Sequence, residues 1–304
     1  MISCLEEPIA SSSIVPMYFV CQRAREDVKV ALVGQGPDEL FGGYQRHIGV
    51  RYGSLWGNSP KWVRTPIASL ITALPRNERL KRGIYSLDVP DRMRRYQNVL
   101  SLLPGDKVNG LFQDGMLGPS AGDEILTCWQ ELPGLMRETD ELGGFQFMEL
   151  RSTLPDELLM YADKLSMAHS LEVRVPYLDK EIVEFAERLP AKFKVRNGKG
   201  KWLHRQVCES FLPAEILKRK KRGFGVNVVD DWFRDTKGSK MEDILMDGES
   251  LIYQYLRPSA VREILKQHRS GQNDNHKILF SVIVFEEWLR AHSRIEDFSV
   301  SVRQ

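Results

Sequence analysis

Apolar positions recur with a helical period along most of this chain, and strand-like runs are few. From about Ile14 to Asp27 the spacing of Tyr18, Cys21 and Ala24 predicts an amphipathic helix. Val28 to Val33 is a short β-branched apolar run without alternation, which predicts a strand covered on both faces, as in a parallel sheet. Residues 42–62 are mixed, with Gly53, Gly57 and Pro60 interrupting any long pattern. From Arg64 to Arg151, helix-period stretches are separated by Pro75, Pro90, Pro104 and a glycine-rich region at 115–122. They predict several short helices forming a lobe over one face of the sheet. Two more helices are expected over 143–171, with Pro155 at a helix start, where its missing N–H does no harm. Asp179 to Arg188 reads as a helix ended by Leu189-Pro190, and Phe193 to Lys199 as a short strand or hairpin arm. Helical patterns return at Lys201 to Phe211, Ser259 to Gln267 and Ile278 to Arg290.

The segment after Val33 carries the most chemistry. Gly34 and Gly36 let the backbone turn tightly with no Cβ in the way of a ligand. Asp38 and Glu39 follow where a helix would begin, at the positive end of its dipole. The carboxyl end of a parallel strand leading into a helix is where open α/β sheets hold ligands. The plainer alternative is a simple strand–turn–helix connection in which Asp38 caps the helix.

Bulk properties narrow the classes. The chain has 304 residues, formal net charge +2 and 42% hydrophobic residues, ample for a sizeable core. Near-neutral charge gives no reason to expect nucleic acid or an anionic membrane surface as the main partner. No apolar run approaches the roughly 20 residues that span a bilayer. Cys4, Cys21, Cys128 and Cys208 are far apart and suggest neither a zinc knuckle nor a disulfide framework, which fits a reducing compartment such as the cytoplasm. His169 has no second His or Cys at metal spacing and reads as a packing residue. Asp163 and Ser166 stand three apart on one helix and are expected to face a substrate cleft.

Three ordered segments identify a resemblance: Val33-Gly-Gln-Gly-Pro-Asp-Glu-Leu-Phe-Gly-Gly-Tyr44, the run from Leu154 to Asp179, and Arg219-Lys-Lys-Arg-Gly-Phe-Gly-Val226. Together they resemble the synthetase domain of glutamine-hydrolysing asparagine synthetases. The family usually reads Ser-Gly-Glu-Gly-x-Asp-Glu-x-Phe-Gly-Gly-Tyr in the first segment and Arg-x-Lys-x-Gly-Phe in the last.

The resemblance implies an α/β fold, part of a doubly wound parallel sheet of the ATP-pyrophosphatase type, with a large helical lobe at roughly 45–150. It implies that residues 1–304 form a synthetase-like domain lacking its first strand and pyrophosphate loop, with no glutaminase domain. It also implies ATP-dependent amide formation on aspartate or a related carboxylate through an acyl-adenylate, with ammonia as nitrogen donor and Mg²⁺ on the pyrophosphate. Asp38 matches the family carboxylate that helps hold Mg²⁺, while Val33, Gly34 and Gly36 lie beside the nucleotide. Lys221 matches the lysine that contacts phosphate oxygens, although Lys218 to Arg222 taken alone reads as a solvated basic loop or a polyanion patch. Gln35 stands where the family has Glu; it is isosteric but neutral and cannot accept a proton. An impaired catalyst is therefore expected from the isolated chain. The alternatives are a split-enzyme subunit whose partner supplies the missing loop and glutaminase, a non-catalytic protein keeping the fold, and a different carboxylate acceptor.

Overall fold

A computed structural model describes residues 1–118, 127–219, 229, 233 and 239–301. Helix α1 (Ile14–Asp27) leads into β1 (Val30–Leu32), and a short turn opens α2 (Pro37–Phe41). Five helices follow: α3 (Gln45–Gly57), α4 (Lys61–Ala73), α5 (Glu78–Leu87), α6 (Arg92–Leu100) and α7 (Gly105–Leu111). After α8 (Leu132–Leu135) and α9 (Glu141–Glu149), a π-helical segment, Leu154–Leu159, runs into α10 (Met160–Met167) and then β2 (Glu172–Arg174). The later α-helices among the described residues are α11 (Lys180–Arg188), α12 (Ala191–Lys194), α13 (Trp202–Cys208), α14 (Ala214–Lys218), α15 (Ser239–Met246), α16 (Pro258–Arg269) and α17 (His276–Ser301). No described helix is long and apolar enough to cross a membrane.

The two strands pair in parallel, Val30 with Glu172, Ala31 with Val173 and Leu32 with Arg174. Each is fed by its own helix, and the two helices, α1 and α10, pack against each other. Ile14, Met17 and Cys21 of α1, Leu165 of α10, Val261 and Leu265 of α16, and Leu279 and Ile283 of α17 form the main core. Ala31 and Val173 lean on that core, so one face of the sheet is covered. A second cluster, Val50, Tyr96, Met136, Phe145 and Met148, ties α3 and α6 to α8 and α9. A third joins Leu40 and Phe41 of α2 to Ala186 of α11 and fixes the loop after β1.

Two expectations change. The strand is shorter than Val28–Val33, and its second face is open: Val30 is 42% and Leu32 72% exposed. The two-residue period of a strand puts Ala31 on the core side and its neighbours on the other, where no described element packs. Residues expected to break after Gly42 instead form α3. Gly53 costs that helix little because α5 packs into the space a side chain would occupy; a Cβ there would lie 2.5 Å from Leu87 Cδ2. The alternating stretch at 193–199, expected as a short strand or hairpin arm, is the end of α12 followed by a tight hairpin closed by bonding between Arg196 and Lys199.

Candidate functional site

The site grows out of the turn between β1 and α2. The Val33 N–H donates to the Arg174 carbonyl at 2.9 Å, extending the parallel pairing one residue past β1. Gly34 is exposed, and the chain then turns inward through buried Gly36, whose φ of +102° excludes side-chain-bearing residues. Gly36 is itself the residue before the helix, Pro37 takes its first position and Asp38 its second. Asp38 therefore is not the cap. Its Oδ2 lies 3.1 Å from Lys201 Nζ, with both side chains about one-fifth exposed.

Lys201 reaches that position because its hairpin is seated on the end of α2. The Lys201 N–H donates to the Phe41 carbonyl at 2.9 Å, and Lys201 adopts a left-handed conformation with φ +56°. Gly200 comes so close to the chain at Gly42 that a Cβ on it would lie 2.1 Å from the Gly42 carbonyl oxygen. One helical turn on, the His204 ring nitrogen Nε2 is 3.0 Å from the Tyr177 hydroxyl. Burial, then the charges of Lys201 and Arg205, lower its pKa and favour a neutral ring.

Behind the loop lies a buried polar network. The Tyr44 hydroxyl donates to the Glu39 carboxylate at 2.5 Å. Burial foremost, with Glu39 and Asp38 nearby, pushes that hydroxyl far above its ordinary pKa, so it stays a donor. The Tyr44 N–H donates to His47 Nδ1 at 3.3 Å, which leaves Nε2 to donate to Glu149 at 2.5 Å. Arg46 donates to the other Glu149 oxygen and lies over the Tyr44 ring. Burial alone would raise the Glu149 pKa, but His47 and Arg46 outweigh it and hold the carboxyl below its usual range. On the other side, Gln146 donates to the Glu39 carbonyl and accepts from buried Lys194 at 3.0 Å. The acidic first turn of α2 is thus gripped through its backbone and both flanks.

The expected site residues fare differently. Val33, Gly34, Gln35, Gly36 and Asp38 share this one turn. Gln35 is half-buried, and its Oε1 is buried without a hydrogen-bond partner among the described residues. Asp163 is exposed on α10, whereas Ser166 is buried and donates its hydroxyl to the Asp163 carbonyl at 3.0 Å. Because α10 runs into β2, Ser166 lies toward the amino ends of the strands, away from the Asp38 turn. Lys221 lies outside the described residues. His169 packs edge-on against Tyr18, as expected, and Glu172 pairs with Arg174 at 2.8 Å. Sequence reasoning missed Lys201 as the partner of Asp38. The signal available was the Gly198-Lys-Gly200 spacing opposite the Gly42-Gly43 pair.

A carboxylate at the start of a helix, beyond the carboxyl end of a parallel strand and faced by a lysine, marks a mostly helical α/β protein whose β1–α2 turn lies where open α/β sheets hold their ligands. The comparisons narrow that class. The asparagine synthase family model matches residues 1–290. Asparagine synthetase [glutamine-hydrolyzing] 1 of Bacillus subtilis (strain 168) is 28% identical over 287 residues, 93% of this chain and 44% of that protein. A chain of Mycobacterium tuberculosis (strain ATCC 25618 / H37Rv), provisionally named an asparagine synthetase [glutamine-hydrolyzing], is 31% identical over 93% of this chain and 42% of its own length. The Gallus gallus asparagine synthetase [glutamine-hydrolyzing] is 32% identical over a shorter stretch, 38% of this chain and 23% of its own. The chain belongs to the asparagine synthase family. It spans less than half the length of these relatives.

Proposed function

We propose that this chain carries the nucleotide-handling site of an ATP-dependent amide synthetase acting on aspartate or a related carboxylic acid. A substrate carboxylate oxygen attacks the α-phosphorus of ATP and pyrophosphate leaves, giving an acyl-adenylate. Ammonia then attacks the acyl carbon; AMP leaves, the amide forms and one proton is released. The observation that carries the reading is Asp38 held 3.1 Å from Lys201 at the mouth of the β1–α2 turn. In this reading the turn at Val33, Gly34 and Gly36 presents backbone to the nucleotide. Lys201 and Lys221 neutralise phosphate oxygens as point charges, and Asp163 borders the acceptor.

Among the described residues no group of three or more His, Cys, Asp or Glu could hold a metal. A lone Asp38 still fits Mg²⁺, which takes one or two carboxylates and fills its shell with phosphate oxygens and water. When bound, the ion spreads the negative charge of the leaving pyrophosphate. Gln35 presents a buried, unpartnered oxygen that accepts a hydrogen bond from an N–H but cannot take its proton. Amide formation by the isolated chain is accordingly slow.

The test is titration calorimetry with Mg²⁺·ATP, beside an assay of AMP from ATP, aspartate and ammonia. Asp38→Asn is expected to weaken ATP binding at least about tenfold, a loss of about 1.4 kcal/mol; unchanged affinity overturns the reading. Parent chain is expected to give little AMP and Gln35→Glu more, and brisk turnover by the parent sinks the role given to Gln35. One observation favours a second reading, a split enzyme. Val30 and Leu32 are exposed on a face that parallel sheets keep covered. In that case AMP formation rises when a chain supplying the rest of the synthetase is added.

A further inference from the structure

The hairpin that carries Lys201 to Asp38 sits in a stretch with charge of one sign. Residues 191–208 hold six lysines and arginines and no aspartate or glutamate, in a protein whose formal net charge is +2. Lys194 is buried, whereas Arg196, Lys199 and Arg205 are exposed and Lys201 is half-buried. Bonds to the backbone fix where these cations stand. Arg196 and Lys199 face each other across the hairpin, each N–H donating to the other's carbonyl, at 3.0 and 2.9 Å. Lys199 is two residues before Lys201, a span of at most about 7 Å between Cα atoms. Arg205 Nε donates to the Gly200 carbonyl and Nη1 to the Leu217 carbonyl, both at 3.3 Å, which lays the guanidinium beside the residue preceding Lys201. The Arg196 guanidinium lies over the Trp202 ring, 4.8 Å from its centre.

Stability does not account for this gathering. Like charges directly opposite each other in a β pairing are destabilising. Among the described residues no carboxylate pairs with Arg196, Lys199 or Arg205; of the four cations Lys201 alone faces one, Asp38. Exposed cations add little to the equilibrium affinity for an anion, because water and salt screen them. They act at a distance instead. At physiological ionic strength the Debye length is about 8 Å, and Lys199 and the Arg205 guanidinium stand within that reach of Lys201. Charge of one sign around the entrance to a site raises the rate at which a counter-charged ligand arrives.

We infer that Arg196, Lys199 and Arg205 form a capture device that draws the triphosphate of Mg²⁺·ATP to the Asp38–Lys201 turn, setting how fast the nucleotide binds and not how long it stays. The inference rests on the synthetase reading above and adds residues to its nucleotide site. Three exposed cations neutralise too few phosphates for a nucleic acid, where proteins commonly engage about 6–10. A nucleotide triphosphate is small enough to be guided by three cations, and the hairpin delivers it to the one lysine of the four that already faces the proposed Mg²⁺ carboxylate.

Stopped-flow fluorescence on the full chain, with Mg²⁺ and the N-methylanthraniloyl form of ATP, separates the two rates. The double variant Arg196→Gln/Lys199→Gln is expected to lower the association rate constant at least about threefold at about 20 mM NaCl and to leave dissociation unchanged. At about 500 mM NaCl, where such fields are screened out, parent and variant should associate at one rate. The double variant Arg196→Lys/Lys199→Arg keeps both charges in changed shapes and should bind like the parent. Both side chains are exposed and backbone bonds close the hairpin, so these variants retain the fold. Equal association rates for the parent and the glutamine variant at low salt overturn the inference. Faster dissociation from the glutamine variant overturns it as well, since the cations would then hold the nucleotide in place. Slow association by the charge-keeping variant does the same, because shape and not charge would be at work. Tighter binding of a DNA duplex than of ATP would assign the cations to another ligand and sink the proposal. A parent that binds no ATP removes the synthetase reading and this inference with it, whereas ATP binding at an unaltered association rate removes the inference alone.

Discussion

Replacing Gly200 with alanine tests how the Asp38 turn is positioned. A Cβ at Gly200 would lie 2.1 Å from the Gly42 carbonyl oxygen and 3.1 Å from its carbon, so relief needs a separation of about 1 Å. Gly42 cannot supply it. It closes α2 in a left-handed conformation, φ +73°, with its N–H bonded to the Asp38 carbonyl. The hairpin must lift instead, stretching the 2.9 Å bond from Lys201 N–H to Phe41 and drawing Lys201 away from Asp38. A lost backbone hydrogen bond costs about 1 kcal/mol, and overpacking of this kind about 1–3 kcal/mol in all. For a chain of 304 residues that is a fall of about 2–5 °C in melting temperature. Thermal unfolding followed by circular dichroism should register it, with weaker ATP binding alongside. Gly83→Ala is the control: nothing lies within 4 Å of its Cβ position, and the helix there should gain up to about 1 kcal/mol. If Gly200→Ala melts with the parent, or Gly83→Ala falls as far, the close approach does not hold the hairpin and the reasoning fails.

Two further predictions concern the buried network. Glu149→Gln leaves Arg46 and His47 without their carboxylate and should cost about 3–5 kcal/mol, read from urea midpoints; a loss under about 1 kcal/mol would refute it. Lys194 is 2% exposed, and burial, opposed by Asp140 and Glu187, lowers its pKa from 10.5 to about 8. Between those values the unfolded chain binds more protons than the fold, so stability should rise with pH from about 8 to about 10.5. Urea titrations at pH 8 and pH 10 should therefore favour the parent increasingly over Lys194→Met, and parallel pH profiles for the two proteins would contradict the assignment.

How much of this was legible in the sequence depended on whether the signal was local. Helix α1 ends where its apolar spacing ends, and Asp179 caps α11 by accepting from the Glu181 N–H at 2.9 Å, because both depend on neighbours in the chain. The turn at Gly34 to Gly36 was legible for the same reason: glycine is needed where φ is positive, and the residue order states it. Helix α3 was not, since Gly53 is accommodated by Leu87, 34 positions away in sequence and supplied by another helix. The cap role considered for Asp38 was equally local and wrong by two residues, because the turn through Gly36 starts the helix earlier than the acidic pair suggested.

The partner of Asp38 lay beyond any local reading. Lys201 is brought to it by a contact between two backbones, and a backbone contact leaves only absent side chains in the sequence. Such pairs of glycines are weak evidence apart and strong evidence together, once the intervening chain is known to fold back. The same logic explains why the acidic turn is surrounded by buried Glu149, His47, Gln146 and Lys194 and not by an all-apolar shell. Leu40 and Phe41 seat this five-residue helix by apolar contact on one side, and directed bonds to the Glu39 carbonyl and carboxylate add a hold on its axis and rotation from the other. If that is the purpose of the network, Glu149→Gln should weaken ATP binding beyond what its stability loss explains, measured well below the unfolding midpoint.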